Sequence, residues 1–226
     1  MVLERGDLQV LNEPWSRWYY YGADGPSDRF DEVLDRSRAS DVRRRIREAA
    51  GRGPVFVKDM AYHPGPHLRR ALDEPSPRSD SFLVRHPARA LTSLFARWPD
   101  FTWDEAGYEA QARAFDHVTA RDGRLPPVID SDELRADPDA VVGAWCDAVG
   151  LERRPDALRW EGGLPGELDL WEDWYEGVAA SEGFLPPDPD PPPTADELAA
   201  VDARLAAAVA RALPLYERLH AHRLRS

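Results

Sequence analysis

The chain is expected to fold as an α/β protein in which a parallel sheet is flanked by helices. Short apolar runs alternate with stretches of helical period along most of its 226 residues, the pattern of strands joined by crossover helices. One of those runs, Phe82-Leu83-Val84, ends on Arg85 and turns within two residues into a helix that opens on Pro87. No apolar run is long enough to span a bilayer.

The strands expected from apolar content are 8–11, 55–57, 82–84 and 128–129. Asn12-Glu13-Pro14 follows the first, and the aromatic cluster Trp15, Trp18, Tyr19, Tyr20 and Tyr21 comes directly after it. Helical spacing predicts helices over 29–50, with a break near 37–40, and over 64–72, 87–97, 104–121 and 137–149. The helix at 137–149 has Asp137 at its cap, Pro138 at its first position and Gly150 as its stop. The proline-rich run 185–193 can be neither regular helix nor central strand, so it is read as an extended connector. Beyond it Thr194 caps an alanine-rich helix to about 212, and Pro214 is expected to break that helix before 215–224. The expected organisation is one α/β domain over 1–184, the connector 185–193, and a helical segment 194–226 packing on the same domain.

Composition narrows the function classes. A net charge of −12 argues against a nucleic-acid surface, because phosphate backbones are bound through clustered Lys and Arg. The N-terminal residues lack the basic-then-apolar order of a signal peptide, and the single Cys146 excludes an internal disulfide, so a cytoplasmic location is expected. One cysteine and scattered histidines do not build the usual zinc site, and no metal is expected. A Gly-x-Ser-x-Gly hydrolase elbow is also missing. Neither the acceptor nor the oligomeric state has a sequence signal.

The segment from Arg85 to Ser93 carries the clearest chemistry. Pro87 suits a first helical turn, whose unpaired amides add partial positive charge beside the Arg85 guanidinium. Ser93 lies seven residues after His86, about two turns on, and so shares a helix face with the turn after the strand. Arg85 and Ser93 can therefore hold one phosphate; the plainer alternative is a strand-end arginine in a surface ion pair.

This segment resembles the sulfotransferase family, in which a strand-end arginine and a serine eight positions later bind the 3′-phosphate of the donor 3′-phosphoadenosine-5′-phosphosulfate (PAPS). A second stretch, Val128-Ile129-Asp130-Ser131-Asp132-Glu133-Leu134 and the helix closing on Gly150-Leu151, is similar to the family's strand, acidic turn and Gly-Leu ending. No chemistry is assigned to it. The resemblance covers most of residues 8 to 184 and implies a P-loop nucleoside triphosphate hydrolase-like sulfotransferase fold. It further implies PAPS or its product PAP as the nucleotide and a small-molecule hydroxyl or amine as acceptor; the net charge and the lack of a long apolar run already speak against nucleic acid and membrane as partners.

Three residues take roles from the resemblance. Glu13 matches a glutamate that accepts the acceptor's proton in several branches, beside the simpler reading of a turn carboxylate before Pro14. His63 is the alternative base, displaced from the family's lysine, any residue, histidine pattern to Lys58-Asp59-Met60-Ala61-Tyr62-His63; a solvated loop histidine is the competing reading. Lys58, the only lysine in the chain, matches the family's strand-end lysine and would stabilise charge on the transferring group, unless it meets a carboxylate such as Asp59. The aromatics beside Glu13 are expected either to wall the acceptor pocket or to pack a helix against the sheet. The family's Arg-Lys-Gly signature is absent near 171–184, and nothing in the spacing selects Arg159 or Ser181 in its place.

The chain departs from the family at its front, where a first strand and a Pro-x-x-Gly-Ser-Thr-like phosphate loop would stand. Residues 1–5 read as the end of the helix after that loop, so an N-terminally truncated fold, with the cellular protein beginning upstream, is the expectation. A non-catalytic sulfotransferase-like binding protein that has lost the donor loop is the alternative. A nucleotide or small-molecule kinase would need a Walker lysine and loop, which this sequence does not contain.

Overall fold

The computed structural model describes residues 1–163, 171 and 174–225. They form mixed α/β structure with small parallel sheets flanked by helices. The chain divides into two compact units, Met1–Arg78 with Arg154–Leu185, and Ser79–Arg153 with Pro186–Ser226. Where one sheet was expected, each unit carries its own two-stranded parallel ladder.

In the first unit, β1 (Gln9–Asn12) is followed by α1 (Ser16–Tyr21), α2 (Ala39–Arg52), β2 (Val55–Lys58) and, after a 3₁₀ turn over Gly65–His67, α3 (Leu68–Asp73). β1 and β2 pair in parallel from Gln9 opposite Val55 to Asn12 opposite Lys58, so both strands end side by side. The helix expected over 29–50 begins only at Ala39. Ser37 is buried and its hydroxyl donates to the carbonyls of Tyr21 and Leu34, while the Leu34 amide donates to Tyr21. These bonds fold the segment back on α1, in the way serine side chains compete with helix. Trp15, Trp18, Tyr19, Tyr20, Val42, Ile46 and Ala49 are buried, so four of the five aromatics after β1 pack in the core, while Tyr21 is half-buried.

The second unit begins with β3 (Phe82–Val84), α4 (Pro87–Arg97), α5 (Trp103–Ala106) and α6 (Tyr108–Asp122). The single helix expected over 104–121 is divided at Gly107, whose φ of 79° only glycine adopts readily. β4 (Val128–Asp130) pairs in parallel with β3 and leads into α7 (Ser131–Ala136) and α8 (Pro138–Val149). Asp130 caps α7, accepting from the Asp132 and Glu133 amides, and Asp137 caps α8 by accepting from the Ala140 amide. A short α9 (Glu176–Ala179) lies in the part of the chain that returns to the first unit.

Residues 185–193 carry neither helix nor strand, as their prolines dictate. After them come α10 (Ala195–Val201), opened by the Thr194–Glu197 capping box, and α11 (Ala203–His220). The expected break at Pro214 is not found: Pro214 lies inside α11, and the interruption falls at Asp202. Asp202 is extended, and its carboxylate accepts from the Arg204 amide, starting a new helix. Tertiary packing offsets the proline's cost, because Leu205, Val209, Ala212, Tyr216 and Leu219 make one buried face along α11. Each fully buried leucine there contributes about 1.5–3 kcal/mol. Asp202→Ala is expected to lower the midpoint of urea unfolding, since the cap that starts α11 is lost. An unchanged midpoint and slope would show that packing alone restarts α11.

Candidate active site

The strongest grouping of chemical side chains lies where β1 and β2 end together, at the carboxyl ends of parallel strands where α/β sheets bind ligands. Glu13, the first residue beyond β1, takes a φ of 45°, a left-handed conformation that costs a non-glycine residue about 1–3 kcal/mol. Its surroundings fix it there. Its amide donates to the Lys58 carbonyl at 2.6 Å, and its carbonyl accepts from the Ser16 amide at 3.0 Å and the Ser16 hydroxyl at 2.6 Å. The buried Trp171 indole donates to that same hydroxyl at 3.0 Å.

This turn aims the Glu13 carboxylate at Lys58, the first functional pair brought together by the fold. Lys58 Nζ donates to Glu13 Oε1; the lysine side chain is 40% exposed and the glutamate 12%. Tyr175 joins them, its hydroxyl donating to Glu13 Oε1 at 3.3 Å, accepting from Asn12 Nδ2 at 3.1 Å and lying 3.5 Å from Lys58 Nζ. Burial opposes the Lys58 ammonium, but the Glu13 carboxylate and the Tyr175 oxygen outweigh it and hold the lysine above its ordinary pKa. Burial raises the Tyr175 phenol, against the pull of Lys58 and with added repulsion from Glu13, so it stays protonated at neutral pH. The cluster thus offers a proton acceptor, a cation and a hydroxyl donor within one hydrogen-bonded group.

Lys58 therefore meets Glu13 and not Asp59 as its hydrogen-bonded carboxylate. Asp59 turns the other way: Oδ2 accepts from the Trp15 amide at 2.8 Å, and Oδ1 from the Met60 amide at 2.9 Å and lies 2.6 Å from His63 Nδ1. Burial raises the Asp59 carboxyl, the His63 contact and the Trp15 amide work against that rise, and the Glu13 charge adds to it. His63 is not the solvated loop residue expected as one reading. It is 1% exposed, packed against the rings of Tyr62, Tyr20 and Tyr19 at centroid distances of 4.5, 5.5 and 5.6 Å. Tyr19 and Tyr20 of α1, with Tyr62, close over the imidazole.

Sequence reasoning missed Tyr175. It stands 162 residues from Glu13 in the chain, and only the aromatic richness of Trp171, Trp174 and Tyr175 marks its segment. Arg159 forms an isolated bridge with Gly183, and Ser181 is buried.

The second unit carries Arg85 and Ser93 on the elements expected of them. Arg85 follows β3, its carbonyl accepting from the Tyr108 hydroxyl at 2.8 Å, and His86 Nδ1 accepts from the Ala88 amide to cap α4. Burial, then the Arg89 charge, lowers the His86 pKa, keeping the capping nitrogen unprotonated at neutral pH. Arg85 Nε is buried and has no hydrogen-bond partner. An unmet donor of that kind costs about 1–3 kcal/mol, and an oxyanion would satisfy it. The first-turn amides expected to stand unpaired beside it do not: Pro87 has none, and those of Ala88, Arg89 and Ala90 all donate to His86. Ser93 is exposed, two turns into α4. Among the described residues no group of three or more His, Cys, Asp or Glu side chains is placed to hold a metal ion. No described helix is long and apolar enough to cross a membrane.

A family model described as a sulfotransferase domain matches residues 2–222. The chain is 29% identical over 200 residues to branched-chain-amino-acid aminotransferase-like protein 2 of Arabidopsis thaliana, covering 81% of this chain and 33% of that protein. It is 27% identical over 233 residues to branched-chain-amino-acid aminotransferase-like protein 1 of the same plant, covering 97% of this chain and 38% of the relative. The chain thus spans between a third and two fifths of the length of these curated relatives. No solved structure matches it significantly.

Proposed function

The chain belongs to the sulfotransferase family, and from that premise we propose that it transfers a sulfuryl group from PAPS to a hydroxyl or amine of a small molecule, on a P-loop-type fold. The observation that carries this reading is the Glu13–Lys58–Tyr175 cluster at the ends of β1 and β2. The donor supplies an activated S–O bond to its 5′-phosphate. Glu13 takes the proton of the acceptor as the new bond to sulfur forms, and Lys58 faces the charge that develops as the bond to the leaving phosphate breaks. Arg85 and Ser93 hold the 3′-phosphate, the role that fits the unpaired Arg85 Nε.

The two relatives are named as aminotransferase-like proteins, and this chain matches at most 38% of their length. Transamination does not suit these residues. A Schiff-base lysine needs a depressed pKa, whereas Lys58, the chain's only lysine, is held the opposite way by Glu13.

The test is transfer of radiolabelled sulfate from PAPS to a panel of phenols, sugars and amino alcohols by the full-length protein. Labelled product that requires Glu13 is the expected result. Binding of PAP without transfer to any acceptor would favour a non-catalytic binding protein, and no binding of either nucleotide would overturn the reading.

A further inference from the structure

We propose that His63 is a positioning residue whose Nδ1 proton locks Asp59, and through Asp59 the turn that presents Glu13. This inference rests on Glu13 being the base of the proposed reaction. Three facts lead to it.

The first is that Glu13 is held in a left-handed conformation, with φ 45°, which relaxes unless neighbouring bonds oppose it. Asp59 supplies one such bond from outside the turn: Oδ2 accepts from the amide of Trp15, two residues past Glu13, at 2.8 Å. The end of β2 thereby fastens the turn that follows β1.

The second concerns where the proton between Asp59 and His63 resides. Both Asp59 oxygens already accept backbone amides, Oδ2 from Trp15 and Oδ1 from Met60. Two N–H donors on these oxygens favour the charged, accepting form of the carboxyl, and a carboxylate meets Nδ1 favourably only where that nitrogen carries the proton. The short 2.6 Å contact therefore has imidazole Nδ1–H as donor and Asp59 as acceptor.

The third is burial. With its side chain 1% exposed and three tyrosine rings around it, His63 is packed as a fixed strut. Its ordered partner is a carboxylate that itself touches the Glu13 turn. The chain of contacts runs His63, Asp59, Trp15 amide, Glu13, with every link inside the first unit.

Asparagine places its amide nitrogen near the position of Nδ1, and glutamine places its own near Nε2, so the two variants separate the roles of the ring nitrogens. His63→Ala and His63→Gln are expected to lower kcat about 10-fold or more, with KM for PAPS little changed, because the carboxylate of Glu13 loses its aim. His63→Asn should recover most of that loss, since its amide can still donate to Asp59. Recovery by His63→Gln instead would mean that Nε2 meets the substrate and would overturn the proposal, as would wild-type kcat in all three variants.

A measurement free of turnover guards against failure of the reading it rests on. In nitrogen-15 NMR, His63 should show a downfield, slowly exchanging Nδ1 proton that Asp59→Asn removes, along with faster exchange of the Trp15 amide. If that signature is present while Glu13→Gln stays active, the strut stands and the assignment of the base falls. If Nδ1 carries no proton at neutral pH, the strut itself is refuted.

Discussion

Glu13→Gln is expected to lower kcat by about 10²-fold or more while the affinity for PAP stays nearly constant, because it removes a proton acceptor without removing a shape. Glutamine keeps an oxygen that can accept from Lys58 Nζ and from the Tyr175 hydroxyl, so the backbone bonds that hold the turn persist. Lys58 loses the charge that offsets its burial, so its pKa falls from the raised value, and part of the lost turnover passes through the lysine. Stability should move little, since glutamine keeps an acceptor for both hydrogen bonds and the lysine end of the pair is 40% exposed. Turnover assays with isothermal calorimetry for PAP and a melting curve separate these quantities. The loss should exceed that of His63→Ala; the reverse ranking would assign the base to His63.

How much of this was legible in the sequence depended on whether the deciding interaction was local. Helix α4 begins and ends where its spacing predicts, at Pro87 and Arg97, because strand, cap and first-turn proline are all adjacent. α8 follows the same rule through Asp137, Pro138 and Gly150. Local propensity failed where distant packing decided. Pro214 should have ended a helix, but the buried face from Leu205 to Leu219 carries α11 through it, and the break went to Asp202, which can cap a new start. Residues 29–38 have helical spacing, yet Ser37 ties them to α1 instead. Glu13 and Lys58 were each legible as strand-end residues, whereas their direct pairing depends on the parallel register of β1 and β2. Tyr175 depends on a contact across 162 residues that no periodicity encodes. The burial of His63 was hidden for a similar reason, since two of the three tyrosines around it belong to α1.

Arg85→Ala is expected to remove the preference of the protein for 3′-phosphoadenosine 5′-phosphate over adenosine 5′-phosphate, a preference that should be large in the unaltered chain. The two nucleotides differ only in the 3′-phosphate. A charge-assisted hydrogen bond to that group is worth about 1.5–3 kcal/mol, or roughly 10- to 150-fold in affinity for each bond made. Arg85→Lys should not restore it, because a point charge on a flexible stem replaces a planar fork and leaves no donor at the place of Nε. The free protein gives an independent reading. Arg85 Nε is buried without a partner, so alanine removes an unmet donor and the melting temperature without nucleotide should hold steady or rise. The rise in melting temperature on adding PAP should shrink to that given by adenosine 5′-phosphate, since the shift follows the affinity for the folded state. A loss of stability in the free variant with unchanged nucleotide preference would instead make Arg85 a packing residue. Equal affinity of the unaltered protein for both nucleotides would remove the 3′-phosphate from Arg85 and Ser93 altogether.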